Sequence, residues 1–315
     1  MRVERPDFRI GGGSLPFVRA PNLAPPGRSR PALTGPFVMP RAIVSPTILV
    51  FDSGLGGLTV YREVAKARPD ARFVYAADDA LFPYGDIEET KLTARVIAVM
   101  DGLIAAHKPD LVVIACNTAS TIALPSLRAR FSLPFIGTVP AIKPACAASQ
   151  SKIVSVLGTE ATVKREYTRA LIREFSTGCE VTLVGSPRLA GFGEAELHGE
   201  PVPDAAIAAE IAPCFVEHGG RRTDIVVLAC THYPLLLPRL QALAPWPVAF
   251  LDPAPAIARR VVELTGPATP REPPAPTRAV FTSGRAPSAA SSAALAGFGI
   301  AEIGAGRFDT PTVSA

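Results

Sequence analysis

The chain has 315 residues and a formal net charge of +4, with hydrophobic residues at 48% and charged residues at 19%. That length suits one large or two similar-sized α/β domains, and that composition excludes a globally disordered chain. No apolar run reaches the ~18–20 residues a bilayer-spanning helix needs, and the arginine-bearing N-terminus lacks the apolar stretch of a secretory signal, so the expectation is neither membrane insertion nor secretion.

Residues 1–45 hold seven arginines, two acids, eight prolines and the Gly11-Gly12-Gly13 run. They show no period and are read as a disordered Pro/Arg-rich extension. The rest of the chain has 25 basic and 26 acidic residues, so the basic pI belongs to the tail and no nucleic-acid partner is expected. Short β-rich runs follow at Ile48–Phe51, Arg72–Ala76, Leu111–Ala115, Lys152–Leu157, Glu180–Val184, Ile225–Ala229 and Val248–Leu251. Helical stretches are predicted between them at Thr90–His107, Ala161–Phe175 and Asp204–His218. Residues 266–277 are Pro-rich and read as a surface connection, before a last strand near Ala279–Phe281 and a helix near Ser288–Leu295. Strands alternating with helices predict βαβ units and mainly parallel sheets.

An internal repeat carries the most information. Asp110-Leu-Val-Val-Ile-Ala-Cys116-Asn-Thr118 recurs 114 residues later as Asp224-Ile-Val-Val-Leu-Ala-Cys230-Thr-His232. A weaker echo pairs Ile48–Gly54 with Ile153–Thr159. Two related halves are the simplest explanation, each ending a buried strand with a cysteine. The five cysteines are widely spaced, odd in number and without a CxxC pair. That pattern fits neither a disulfide framework nor a zinc ribbon, and suits a reducing cytoplasm.

In open α/β sheets, sites form beyond the carboxyl ends of the strands, where this reading puts Asp52, Cys116 and Cys230. If the halves face each other, the two thiols approach one cleft from opposite sides. A stereocentre inverts when one base removes a proton from one face and a conjugate acid delivers one to the other, and cysteine can do both jobs. Backbone N–H groups at a helix start after each cysteine would favour a thiolate and hold a substrate carboxylate. Asn117, Thr118 and Thr231 add neutral donors, while Asp52 and His232 could exchange protons with the thiols. Ser53-Gly54-Leu55-Gly56-Gly57 reads as a tight turn that lets substrate approach the backbone, and matches neither a P-loop nor G-x-G-x-x-G. Cys146, Cys179 and Cys214 read as small core hydrophobes, and His107 and His218 as structural. A metal site at Cys116, Asp52 and His232 lacks any local ligand pair, so no metal is expected.

At these residues the sequence resembles the glutamate racemases, within the Asp/Glu racemase family. The resemblance covers roughly residues 46–300. It rests on Phe51-Asp-Ser-Gly-Leu-Gly-Gly-Leu-Thr-Val60, Phe82-Pro-Tyr-Gly85, Ala115-Cys-Asn-Thr-Ala-Ser120, Val139-Pro-Ala-Ile-Lys-Pro-Ala145 and Cys230-Thr-His-Tyr-Pro-Leu-Leu236. Glu194-Ala-Glu-Leu-His-Gly-Glu200 further resembles the Gram-negative branch. The resemblance implies two pseudo-symmetric three-layer α/β domains with the active site in the cleft between them. The first would comprise 46–145 with about 255–315, and the second 146–254.

It also implies cofactor-independent racemisation of L-glutamate to D-glutamate for peptidoglycan. Cys116 and Cys230 would be the proton donor/acceptors, assisted by Asp52 and His232, with Glu194 nearby. Asp52, Ser53, Tyr84, Gly85, Asn117, Thr118, Thr231 and His232 would line the glutamate pocket. The Gram-negative branch can respond to a peptidoglycan-precursor nucleotide, which makes such an activator a candidate partner. A homodimer is one assembly open to the chain, and the sequence does not fix the oligomeric state. Three departures stand out: the tail, Arg165 where many members carry Ser, and two extra glycines and an arginine just before Glu194. Rival readings are an aspartate racemase of the same two-thiol group, a non-catalytic amino-acid-binding protein, and a metal or redox protein using Cys116, Cys230 and His232.

Overall fold

The computed structural model describes residues 45–269 and 276–305, all within the unit that begins at Pro40. The predicted disordered extension at 1–45 and the middle of the Pro-rich connection lie outside the described residues, Ser45 apart. In chain order the strands are β1 (Thr47–Asp52), β2 (Arg72–Ala77), β3 (Leu111–Ile114), β4 (Phe135–Gly137), β5 (Ile153–Gly158) and β6 (Glu180–Gly185). Then come β7 (Glu217–His218), β8 (Arg221–Arg222), β9 (Ile225–Ala229), β10 (Ala249–Leu251), β11 (Thr277–Phe281) and β12 (Ile300–Ala305). The helices are α1 (Leu58–Ala67), α2 (Glu89–His107), α3 (Asn117–Arg130), α4 (Ile142–Ala148), α5 (Glu160–Lys164) and α6 (Glu166–Phe175). They continue with α7 (Leu189–Leu197), α8 (Asp204–Ile211), α9 (Leu237–Leu243), α10 (Ala254–Thr265) and α11 (Ala289–Gly297).

Two parallel sheets carry the fold. One runs β12-β11-β2-β1-β3-β4 and the other β10-β9-β5-β6. The order β2-β1-β3-β4 in the first is matched by β6-β5-β9-β10 in the second. The repeat seen in the sequence is thus a repeat of topology: β3 pairs parallel with β1 as β9 pairs parallel with β5. The central strands β3 and β9 are continuous apolar runs, as expected of strands covered on both faces, and β5 departs only at Ser155, whose hydroxyl donates to the Cys214 carbonyl at 2.6 Å. Along β1, Ile48 and Val50 pack towards α1 and α10, while Leu49 and Phe51 pack towards α2 and α3. The second sheet divides in the same way, with Leu157, Val226 and Leu228 on the side of α7 to α9 and Val156 and Val227 on the side of α4 and α6. Each sheet is therefore the middle of three layers.

Three expectations need correction. The helix predicted over Asp204–His218 stops at Ile211, because Pro213 cannot donate to the ladder; a 3₁₀ turn and the β7–β8 hairpin follow. That hairpin turns at Gly219 and Gly220, whose φ of 59° and 73° suit glycine. The stretch Ala161–Phe175 is two helices, α5 and α6, because Arg165 between them is extended at φ −70°, ψ 141°. The segment after Cys230 begins not as an α-helix but as a 3₁₀ turn over Tyr233–Leu236, with Pro234 at its start.

Candidate active site

The local fold brings the two strand-end cysteines together. Cys116 follows β3 and caps α3, its sulfur accepting from the Ala119 N–H at 3.5 Å. Its thiol also donates to Ser53 Oγ at 3.7 Å. Cys230 follows β9, and its sulfur lies 3.9 Å from His232 Nδ1. Both thiols line one cleft of about 170 Å³. Ser53, Tyr84, Gly85, Asn117, Thr118, Thr231 and His232 line it too, as expected from the sequence. The cleft also takes in Phe82 and Pro83 beside Tyr84, Thr159 and Glu160 at the start of α5, and Ser186, Pro187 and Ala190 near α7.

Asp52 does not line the cleft. It ends β1 fully buried beneath it and accepts from the backbone N–H groups of Gly54 at 3.2 Å and Gly57 at 3.0 Å. Its other oxygen accepts from the Thr231 hydroxyl at 3.3 Å. Thr59 in α1 donates to the Thr231 carbonyl at 3.1 Å, so two side chains of the first half hold the residue next to Cys230. Burial raises the Asp52 carboxyl above its ordinary range, against the lowering effects of His232 and the two N–H donors. Burial likewise pushes the Cys116 thiol up to about 12, with the Asp52 charge adding to the rise.

Glu194 lies behind the cleft wall rather than in the cleft. It lines a neighbouring cavity with Gly54, Leu55 and Arg285 and meets His232 Nε2 at 2.7 Å. Burial alone would lower the His232 imidazole; its contacts with Cys230 and Glu194 outweigh that and hold it well above its ordinary value. Burial works against ionisation of Glu194, but its hydrogen bond to His232 prevails and its carboxyl is lowered. His232 therefore sits between the Cys230 sulfur and the Glu194 carboxylate, and both contacts favour its protonated form. The two extra glycines before Glu194 leave this contact intact, and Gly193 is required by it: a Cβ there would meet the His232 carbonyl at 2.7 Å.

The glycines of the Ser53–Gly57 turn serve packing more than substrate approach. A Cβ at Gly56 would sit 2.4 Å from His232 Nδ1, and one at Gly57 would sit 2.6 Å from Asp52 Cβ. Tyr75, a residue the motif reading passed over, donates from its hydroxyl to the Gly54 carbonyl at 2.8 Å and pins the turn from below. Tyr84 is fixed in turn. Its hydroxyl donates to Asp78 at 2.5 Å, and Asp78 pairs with the buried Arg95 guanidinium at 2.6 Å. Arg95 falls on the apolar face of α2, where periodicity predicts only core, so nothing in the sequence pattern marks it. Arg165, the departure from the family pattern, pairs with Glu89 at the start of α2 and so joins α5 to the first half.

One buried side chain lacks any protein partner inside the cleft. Both polar atoms of the Asn117 carboxamide are buried and unpaired. Such a group is costly unless something bonded to it arrives from outside the chain. Among the described residues lining the cleft there is no Lys or Arg; its polar groups are hydroxyls, the Asn117 carboxamide, the His232 imidazole, the Glu160 carboxylate and the two thiols. Among the described residues no group of three or more His, Cys, Asp or Glu could hold a metal ion, and no helix is long and apolar enough to cross a membrane.

The family model for Asp/Glu/Hydantoin racemase matches residues 49–261. The chain belongs to that racemase family. Glutamate racemase of Brucella anthropi is 57% identical over 230 residues, which is 73% of this chain and 83% of that protein. The Brucella ovis enzyme is 59% identical over 218 residues, or 69% and 79% of the two chains. Among solved structures, Escherichia coli glutamate racemase in complex with L-glutamate and the activator UDP-MurNAc-Ala superposes with a TM-score of 0.75 at 37% identity, covering 83% of this chain and 98% of that one. A Bacillus anthracis glutamate racemase isoform gives 0.71 at 25% identity, over 85% and 99%. The paired three-layer halves of this racemase family member are the architecture expected from its sequence.

Proposed function

We propose that this racemase interconverts L- and D-glutamate without a cofactor, using the thiols of Cys116 and Cys230 as proton donor and acceptor on opposite faces of Cα. The observation that carries the reading is the convergence of the two repeat-related cysteines on one cleft. Relatives named glutamate racemase at 57% and 59% identity support the substrate.

Glutamate lies with Cα between the sulfurs. One cysteine, as thiolate, takes the Cα proton while the other, as thiol, gives one to the far face; the reverse reaction exchanges the roles. With the cleft empty Cys116 is a thiol, as its elevated value requires. A substrate ammonium beside the sulfur favours the thiolate by charge. The N-terminus of α3 and the Ala119 N–H favour it further. Asn117 and Thr118 on that helix hold a substrate carboxylate and satisfy the unpaired carboxamide. Ser53, Tyr84, Gly85 and Thr231 complete the pocket. Asp52 acts from beneath, through Thr231 and the charge it presents to Cys116. His232 carries protons to and from Cys230 through Nδ1, while Glu194 keeps the proton on Nε2. Catalysis by positioning and preformed donors replaces an electron-sink cofactor.

The sheet assignments favour a first domain of 46–145 with about 255–315 and a second of 146–254, since β11 and β12 return to the first sheet. The product serves peptidoglycan synthesis in the cytoplasm. A peptidoglycan-precursor nucleotide acts as activator, in line with the ligand of the E. coli relative. Chiral chromatography after incubation with L-glutamate and, separately, L-aspartate tests the reading: D-glutamate should accumulate to an equal mixture. Racemisation of aspartate alone, or of neither, would overturn it.

A further inference from the structure

Of the five cysteines, two face the cleft and one, Cys214, is buried alone in the core of the second half. The remaining two meet on the side of the second sheet that packs against α4 and α6. Cys179 is half-buried and donates from its thiol to the Cys146 carbonyl at 3.4 Å. The Cys179 thiol also acts on the Cys146 thiol, raising it together with burial. Cys146 is buried in α4, the helix that leads from the first sheet into the second. The Lys152 ammonium donates to the Cys146 carbonyl at 3.2 Å and brings a positive charge to the pair. Cys179 enters β6 directly after Gly178, whose φ of 78° makes the turn that faces it towards α4.

We propose that Cys146 and Cys179 form a redox-active dithiol that small disulfides oxidise to an intramolecular bridge. The half-buried Cys179, the more accessible of the two, attacks one sulfur of the small disulfide as thiolate. A mixed disulfide forms and one small thiol leaves. Cys146, as thiolate, then attacks the Cys179 sulfur, which forms the protein disulfide and releases the second small thiol. Two protein thiols are oxidised and one small disulfide is reduced to two thiols, which carry away the two protons. Burial and the adjacent Cys179 thiol hold Cys146 up at about 11, so the second step is the slow one near neutrality and quickens as pH rises. The two residues are 33 apart, so the closed ring spans β5, α5 and α6 and includes Thr159 at the cleft wall. Oxidation thereby ties the helix between the sheets to the strand at the edge of the second one.

The test uses the full chain and oxidised glutathione, with intact-mass measurement and peptide mapping. A parallel run on Cys116→Ser/Cys230→Ser removes the cleft thiols from the reaction. Both proteins should lose two hydrogens, retain no glutathione and yield a cross-linked peptide joining 146 to 179. Bridge formation should quicken about tenfold per pH unit from roughly 7 to 9. Cys146→Ser should keep glutathione on Cys179, and Cys179→Ser should react at Cys146 about tenfold more slowly or less. Glutathione held stably on wild-type Cys179, or a pair left reduced while the cleft cysteines react, would overturn the proposal. None of these readouts depends on racemase activity.

Discussion

Gly56→Ala tests the placement of His232 with one methyl group. The new carbon would lie 2.4 Å from Nδ1 and 2.6 Å from both Cγ and Cε1 of His232, about 1 Å inside ordinary contact. Three contacts oppose a shift of the ring out of its place at the cleft wall. Nε2 is held by Glu194 at 2.7 Å, the Phe82 ring packs on it at 5.4 Å between centroids, and Gly193 runs so close to its backbone that no Cβ fits between them. Overpacking of this kind costs about 1–3 kcal/mol, which chemical denaturation will read as a lower midpoint. A displacement of about 1 Å at a proton-transfer group lowers kcat by about 10²-fold, or roughly 2.7 kcal/mol of barrier. The assay is optical rotation of glutamate with time, run from each enantiomer, beside a urea titration. A variant that loses the expected stability yet keeps kcat within about twofold in both directions would refute the role given to the His232 ring.

Glu194→Gln removes a carboxylate that holds His232 protonated. Because the folded-state value of His232 is raised, its contribution to stability is full below the ordinary imidazole value and lost as pH rises through the raised one. The variant should therefore show a flatter dependence of stability on alkaline pH, and its rate profile should shift to lower pH. Asp52→Asn addresses a buried carboxyl whose folded value is raised, so ionisation at neutral pH costs stability. Near pH 7 the denaturation midpoint should rise or hold, while racemisation falls by about tenfold or more. Arg165→Ser cuts the pair with Glu89, which is largely solvent-facing on the Glu89 side, and should cost at most about 1 kcal/mol. KM should change more than kcat if that pair only sets how the halves meet around substrate.

The site was legible where chemistry and repetition coincide. The Cys116 and Cys230 motifs recur on equivalent strands, and the polar residues beside them reach the same cleft. What the sequence could not reveal is what stands behind the first layer. Asp52 looked like a lining residue because it ends a strand, yet the N–H groups of Gly54 and Gly57 turn it inward. The glycines after it looked like room for substrate, but the atoms they admit belong to His232 and Asp52. Those contacts are long-range and leave no local period. Arg95 reads as part of an apolar helix, and only the fold brings Asp78 to it. Element boundaries failed where proline or one extended residue decides them, at Pro213 and Arg165.

The two-thiol scheme is tested most directly in D₂O with Cys116→Ala and Cys230→Ala, following loss of Cα protium and of optical rotation together. The account predicts that each variant exchanges the Cα proton of one enantiomer, opposite for the two variants, and that neither changes the rotation. Racemisation by either variant at close to the unaltered rate, or exchange of the same enantiomer by both, would contradict it.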